Sequence, residues 1–381
     1  MAKKKILVMT DHMPWGHRSI ARAIYGFLKS REKEENFEVY YAEVKSEVGV
    51  GNDAYTFAYR YLPLSNRIAK WVSYSPQLRK IIEESSEANL PEPKKVVQKI
   101  KPDLIISAYW FHSHSLARWR EREKLKFKLW TIVADPWTIL PVSYNFKIDL
   151  HLVYDRVGVD LGIKECGLKK SQILETGWWT RPEMFGKFEG KAARKKLGFN
   201  DDRPVVFVGG GSLGTNSLTK LLPALMLIKG EAGFVFNTGT DRLAYNLVEQ
   251  YVKLYKRLNK EGKVIIKNLG WIENMAEVLA GVDIVFGKAG PNFLFDVVAS
   301  QKPFVSITHI GGQEDGNVEI IKKKGLGWVK EKGNEAADFL LDYLKEPKKY
   351  EEKFRKNIEK EASRNGKSME IILKKVKREL A

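Results

Sequence analysis

The feature that most constrains this chain is a pair of strand-to-helix junctions, one directly after the other, between Asp283 and Asn317. Val282 to Phe286 is an apolar run of strand length, and Gly287-Lys288-Ala289-Gly290 reads as a tight loop. Asn292 to Ser300 has helical spacing, with Phe293, Val297 and Val298 on one side. Pro303 to Ile307 reads as a second buried strand, and Gly311-Gly312-Gln313-Glu314 as the opening of the next helix. Buried strands that feed helices through short loops make an open α/β sheet of parallel strands. Such sheets bind ligands beyond the carboxyl ends of their strands, so both loops lie on the ligand edge.

The residues on those loops suit a nucleotide-sugar. Lys288 and the amides of Ala289 and Gly290 can meet a diphosphate. Asp296, in the first turns of its helix, can accept both ribose hydroxyls, and Gln313 and Glu314 suit sugar hydroxyls. A third loop, Gly209-Gly210-Gly211-Ser212-Leu213-Gly214, follows the buried strand Pro204 to Val208 and leads into a helix beginning near Ser217. The amides of Gly211, Leu213 and Gly214 and the Ser212 hydroxyl can approach phosphate oxygens there. It is not a Walker loop, because no Gly-Lys-Ser/Thr follows. The plainer alternative is an α/β sheet whose glycines only make turns; the paired loops with their order of polar residues count against it.

The runs KAGPNFLFD and GGQEDGN resemble the carboxyl half of glycosyltransferase family 28. The spelling GQE-x-GN is closest to its diacylglycerol branch, which holds the monogalactosyldiacylglycerol synthases and processive diacylglycerol glucosyltransferases. The resemblance implies a GT-B fold, two Rossmann-like domains facing across a cleft. It implies an acceptor- and membrane-facing domain over 1–180, a UDP-sugar-binding domain over 181–345, and closing helices over 346–381 that cross back to the first domain. It also implies that Arg181 reaches the donor phosphate, that backbone groups of Ile272 read the uracil, and that Asn317 belongs to the donor site.

In the amino half, Lys3 to Thr10 reads as a strand, Asp11 to His17 as a loop, and Ser19 to Lys29 as a helix. Family members usually carry a glycine-rich loop ending in Gly-His here; this chain keeps Gly16-His17, with Pro14-Trp15 in place of the glycines. His17 is the expected general base, taking the acceptor proton so that the sugar inverts, because imidazole is half-poised near neutral pH. Asp135, after the strand Leu129 to Ala134, either orients His17, binds the acceptor, or is a turn residue before Pro136. His112 and His114 follow the strand Pro102 to Ser107 and read as polar loop residues near the acceptor site; with no third ligand nearby, no metal is expected. No cofactor is expected beyond the UDP-sugar itself.

The balance of 65 Lys+Arg against 47 Asp+Glu gives +18, which calls for an anionic partner. From Ala54 to Ile82 there is no acidic residue, and Tyr59, Trp71 and Tyr74 interleave with Arg60, Arg67 and Lys70. Aromatics beside cations suit an anionic membrane surface and a lipid acceptor. The aromatics could instead be core, or stack single-stranded nucleic acid; no RNA-binding motif accompanies them, so nucleic acid is not expected. The single cysteine, Cys166, excludes a disulfide framework and suits a reducing cytoplasm. No run approaches the ~20 apolar residues of a spanning helix. The expectation is a cytoplasmic protein, peripheral on the inner face of the cell membrane, that moves glucose or galactose from a UDP-sugar to diacylglycerol or a glycosyl-diacylglycerol. UDP-GlcNAc-dependent transfer to another lipid-linked acceptor, a UDP-sugar epimerase, and a non-catalytic nucleotide-sugar or nucleic-acid-binding protein stay open. So do the choice of sugar and the oligomeric state.

Overall fold

The computed structural model describes residues 3–13, 16–45, 74–209, 215–259 and 263–381. Its contacts divide the chain into two units. The first comprises Met1–Pro182, Ile310–Gly316 and Arg364–Ala381, and the second Glu183–His309 and Asn317–Ser363.

The first unit runs β1 (Lys4–Asp11), α1 (Gly16–Arg31), β2 (Phe37–Val44), α2 (Pro76–Ser85), α3 (Pro91–Ile100), β3 (Leu104–Ser107), α4 (Trp110–Arg122), β4 (Lys128–Ile132), β5 (Leu150–Val153), α5 (Arg156–Lys164) and β6 (Ile173–Glu175). The strands form one parallel sheet in the order β2-β1-β3-β4-β5-β6, with Ile6 opposite Leu104. Ile6 to Met9 are fully buried, as strands covered on both faces must be. Helix α1 buries Ile20, Ala21, Ala23, Ile24 and Leu28 and exposes its charges. From β1 the chain builds β2 on one side and β3 on the other, so the loops after β1 and β3 part over a crevice.

The second unit runs α6 (Gly190–Lys196), β7 (Val205–Gly209), α7 (Thr215–Leu225), β8 (Ala232–Asn237), α8 (Arg242–Leu258), β9 (Val264–Asn268), α9 (Met275–Ala280), β10 (Ile284–Lys288), α10 (Pro291–Ala299), β11 (Phe304–Thr308), α11 (Asp315–Lys324), β12 (Gly327–Val329), α12 (Glu335–Lys345), α13 (Pro347–Lys353) and α14 (Arg355–Gly366). Its sheet is also parallel, ordered β12-β11-β10-β7-β8-β9, so the reversal falls between β7 and β10. Val206, Val208, Phe234, Phe236, Ile284 and Phe286 form the middle of its core.

The closing segment Arg364–Ala381, which takes in the last three residues of α14 and α15 (Ser368–Leu380), is counted with the first unit, as are the first two residues of α11. There Asn365 Oδ1 accepts from the Trp178 amide at 2.9 Å, and Lys377 pairs with Glu35 at 2.7 Å. Expanding the sheets with helices in this alternation gives the α/β class the loop pattern called for. Among the described residues no helix is long and apolar enough to cross a membrane.

Candidate functional site

The reversal between β7 and β10 sets the ends of these two strands, from which two of the glycine runs depart, side by side. Gly287 pairs in register with Gly209. A Cβ on Gly287 would stand 2.4 Å from the Gly209 carbonyl oxygen and 2.6 Å from the Phe293 ring. A Cβ on Gly209 would also meet Phe293, at 3.2 Å. Both positions therefore need glycine because the two backbones and one aromatic ring close together where the loops begin.

Lys288 is the last residue of β10, not part of a loop as its glycine neighbours implied. The strand runs one step further because Ala289 N donates to Thr308 O at 2.9 Å, past a register shift at Gly287/Lys288. Ala289 is buried, and its carbonyl accepts from Asn317 Nδ2 at 2.8 Å. Asn317 thus holds the shape of the β10 loop from α11. Gly290 is the N-cap of α10, extended at φ −70 and ψ 140, with Pro291 in the first helical position. The amino end of α10 follows directly from Lys288, which joins a cation to a helix dipole at one spot. Asp296 lies half-buried in the second turn of α10. Ile272 lies half-buried after β9, next to an exposed Trp271, and Asn274 caps α9 by accepting from Glu277 N at 3.2 Å. Gly211, Ser212, Leu213 and Gly214 lie outside the described residues, as do Tyr59, Arg60, Arg67, Lys70 and Trp71. Tyr74 is described and exposed, and Arg181 is half-buried in the first unit.

A further cluster at this edge carries no signal in sequence spacing. His309, one residue beyond β11, hydrogen-bonds through Nδ1 to Glu331 Oε2 at 2.5 Å. Ser306 Oγ donates to the other carboxylate oxygen at 2.5 Å, and Lys220 Nζ donates to the carbonyls of Ile307 and Glu331 at 2.6 and 3.0 Å. Burial alone would raise the Glu331 carboxyl, but the bonds from His309 and Ser306 outweigh it and hold the group below the usual range.

In the first unit the crevice between β1 and β3 holds His17. The side chain sits in the first turn of α1 and not in a loop, because α1 starts at Gly16, a turn before its first buried apolar residue. Its ring meets the edge of Tyr109, the residue capping α4 after β3, at 5.7 Å between centroids. Tyr109 in turn meets His112 at 5.0 Å. Burial pulls the His17 imidazole down to about 4, with the Ala108 backbone opposing in part. It is therefore neutral at pH 7 rather than half-protonated, which corrects the expectation of a residue poised at neutrality.

His112 and His114 are also corrected. They lie inside α4, fully buried, and not in a loop. The run His-Ser-His-Ser has no apolar periodicity, yet its small hydroxyls are satisfied in place: Ser113 bonds Thr131 at 2.8 Å and Ser115 donates to the His112 carbonyl at 3.1 Å. That is why the pattern hid a helix.

Asp135 follows β4 among the residues next to the Ile310–Gly316 segment. Thr138 Oγ1 accepts from Gly316 N at 2.7 Å, and a Cβ on Gly316 would stand 2.5 Å from Thr138 N. Burial pushes the Asp135 carboxyl up to about 7, and the neighbouring Glu314 carboxylate adds to the rise. Glu314 is buried and its Oε2 accepts from Ile310 N at 2.8 Å. Gln313 and Glu314 precede α11, which starts at Asp315, instead of opening it. The structure thus groups Asp135, Gln313 and Glu314 in one unit with His17, and Lys288, Asp296, Ile272 and Asn317 in the other.

Two family models cover most of the chain. The monogalactosyldiacylglycerol (MGDG) synthase model matches residues 17–178, and the glycosyltransferase family 28 C-terminal domain model matches 205–372. The chain is 24% identical over 364 residues to a probable chloroplastic monogalactosyldiacylglycerol synthase of Glycine max, covering 91% of this chain and 66% of the relative. It is 26% identical over 341 residues to the chloroplastic monogalactosyldiacylglycerol synthase of Spinacia oleracea, covering 85% and 63%. It therefore spans a little under two-thirds of the length of these two plant proteins. It is 24% identical over 340 residues to the UDP-N-acetylglucosamine--N-acetylmuramyl-(pentapeptide) pyrophosphoryl-undecaprenol N-acetylglucosamine transferase of Acetivibrio thermocellus, covering 86% and 85%. Among solved structures, UGT89C1 of Arabidopsis thaliana complexed with UDP-L-rhamnose superposes with a TM-score of 0.61 at 13% identity, over 100% of both chains. That likeness shows the fold, GT-B. With one model on each half and the KAGPNFLFD and GGQEDGN runs on its glycine loops, the chain carries a glycosyltransferase family 28 C-terminal domain over 205–372 behind a region, 17–178, that matches the monogalactosyldiacylglycerol synthases.

Proposed function

We propose that the protein transfers a hexose, glucose or galactose, from a UDP-sugar to a membrane lipid such as diacylglycerol or a glycosyl-diacylglycerol, with inversion. The observation that carries this reading is the β7/β10 reversal, where Gly209 and Gly287 close in register beneath Lys288 and the amino end of α10. A diphosphate fits that combination of cation and helix N-terminus. Asp296 lies on the same helix to accept ribose hydroxyls, and Ile272 offers backbone groups for the uracil. Ser212, the amides of Gly211, Leu213 and Gly214, and Arg181 complete the donor set. The charge on the leaving UDP is met by these groups, with no cofactor in the proposal.

His17 takes the acceptor proton. The acceptor oxygen forms its bond to the sugar C1 as the bond from C1 to the UDP oxygen breaks, and UDP leaves with that electron pair. Since burial holds the imidazole near 4, His17 is ready as the free base at pH 7 but is a weak one. It accepts the proton late, when attack on C1 has made the hydroxyl acidic. Gln313 and Glu314 hold sugar hydroxyls, and Asp135, whose carboxyl titrates at about 7, binds the acceptor or orients the base. The acceptor would be met at the inner face of the cell membrane through the aromatic-basic segment between Ala54 and Ile82.

The named activity of the Acetivibrio thermocellus relative supports a second reading, transfer of N-acetylglucosamine to another lipid-linked acceptor. One experiment separates them: incubation with UDP-glucose, UDP-galactose or UDP-N-acetylglucosamine and diacylglycerol vesicles, with products resolved by mass and anomeric coupling. The proposal expects a β-hexosyl lipid and stoichiometric UDP, with turnover falling about 100-fold or more in His17→Ala. Near-normal turnover in His17→Ala would end the base assignment. Consumption of a UDP-sugar without UDP release would make the protein an epimerase instead.

A further inference from the structure

Helix α8 buries one face and leaves a second apolar face in solvent. Ala244, Val248, Val252 and Tyr255 pack into the core of the second unit. On the adjoining face Leu243, Leu247, Leu254 and Leu258 are 83%, 41%, 48% and 64% exposed. At 100° per residue these four fall within an arc of about 60° and extend over about 22 Å of helix. Single exposed leucines are ordinary, but four in a line on one helix are not. Leu227, 63% exposed, is a further apolar residue at the surface, next in sequence to Met226, whose sulfur accepts from Asn259 Nδ2 at the end of α8 at 3.6 Å.

The charges beside this stripe have one sign. Arg242, Lys253 and Arg257 are exposed and flank it on its outer side, with Lys256 a little further round. The one acid of α8, Glu249, lies between Arg242 and Lys256 around the helix, but it is half-buried and its carboxylate accepts from Asn268 Nδ2 at 3.1 Å. Leucines bounded by Lys and Arg on a helix that lies along a surface match the chemistry of an anionic lipid interface. A second copy of the chain fits worse: face-to-face pairing of two such stripes would bring their cations together, in a protein already carrying +18.

We propose that α8 is a membrane-contact surface, separate from the aromatic-basic segment of the first unit, which lays Leu243, Leu247, Leu254 and Leu258 into an anionic bilayer. The proposal concerns adsorption alone and does not depend on the reaction assigned above. Two readouts test it. In a Cys166→Ala background, Leu254→Cys labelled with an environment-sensitive fluorophore should shift to the blue on vesicles containing phosphatidylglycerol. It should not shift on phosphatidylcholine alone. In sedimentation, replacing the four leucines by Gln should lower partitioning to the anionic vesicles about tenfold or more, with the melting temperature unchanged. Lys253→Glu with Arg257→Glu should weaken binding and flatten its salt dependence. A protein that sediments with vesicles while the label stays unshifted would overturn the proposal. So would a four-Gln variant that binds as wild type, or one whose only change is loss of a dimer in light scattering.

Discussion

Lowering the pH from 7 to 5 should destabilise the first unit by about 6 kcal/mol through three histidines that fold in the neutral form. His112, His114 and His151 are fully buried, and desolvation pulls them to about 3, 3 and 4. His151 shows why the proton is refused. Its Nε2 accepts from the Asn145 amide at 3.1 Å while its Nδ1 bonds the Gln172 carbonyl at 3.1 Å, so a second N–H would point at a donor. Asn145 also bonds His114 Nδ1 at 3.3 Å, tying two of the rings to one residue. Each histidine titrates near 6.5 when unfolded, so its contribution is intact above that value and is lost as pH falls. Between pH 7 and 5 the loss is about 2 kcal/mol apiece. His17 loses a similar amount, and Asp135, shifted upward to about 7, gains about as much, so those two nearly cancel. A fall of this size is a large part of the ~5–15 kcal/mol that holds a domain together. The assay is urea unfolding at pH 7, 6 and 5, followed by tryptophan fluorescence. The buried Trp119, Trp130, Trp178 and Trp179 all report on the first unit. The slope near pH 5 should correspond to about three protons taken up on unfolding, and to about two in His112→Leu. A flat profile between pH 7 and 5 would refute the reasoning, since it would require the rings to titrate normally where they lie.

Gly316→Ala should cost about 1–3 kcal/mol and displace the Ile310–Gly316 segment, because its Cβ would meet Thr138 N at 2.5 Å; urea unfolding measures the loss. Gly287→Ala should disturb the β7/β10 edge, since its Cβ would fall 2.4 Å from the Gly209 carbonyl, and should weaken UDP binding by calorimetry while Gly230→Ala, which has open space, does not. Glu331→Gln should cost about 1–3 kcal/mol in the second unit. The wild-type advantage should hold above about 4.5, the unfolded value, and fade as pH falls below it through the lowered Glu331 carboxyl value, which unfolding followed across an acid pH series would show.

The parallel α/β architecture was legible because each buried strand announces itself as an apolar run and each loop as glycine. Val205–Gly209 and Ile284–Lys288 fall within a residue or two of the runs read for them. The turns that begin at Gly209 and Gly287 were legible for the same reason. What the sequence hid was set by tertiary packing. Helix α4 buries histidines and serines in place of apolar residues, so its period is absent from the letters. The α8 leucines show helical spacing, but only the structure shows that they face solvent. Glu331 lies beyond β12 and meets His309 across the sheet edge, a pairing no local motif encodes. The neutral state of His17 depends on the enclosure around its ring, and residue type alone implies the opposite.

The central claim is that the β7/β10 edge holds a uridine diphosphate beside Lys288. Calorimetric titration of UDP into the full chain, in buffer containing EDTA, tests it most directly. The account predicts saturable one-to-one heat, with affinity weakened about tenfold or more by Lys288→Ala. Absence of heat from the wild-type protein, or a Lys288→Ala curve superimposable on it, would contradict the account.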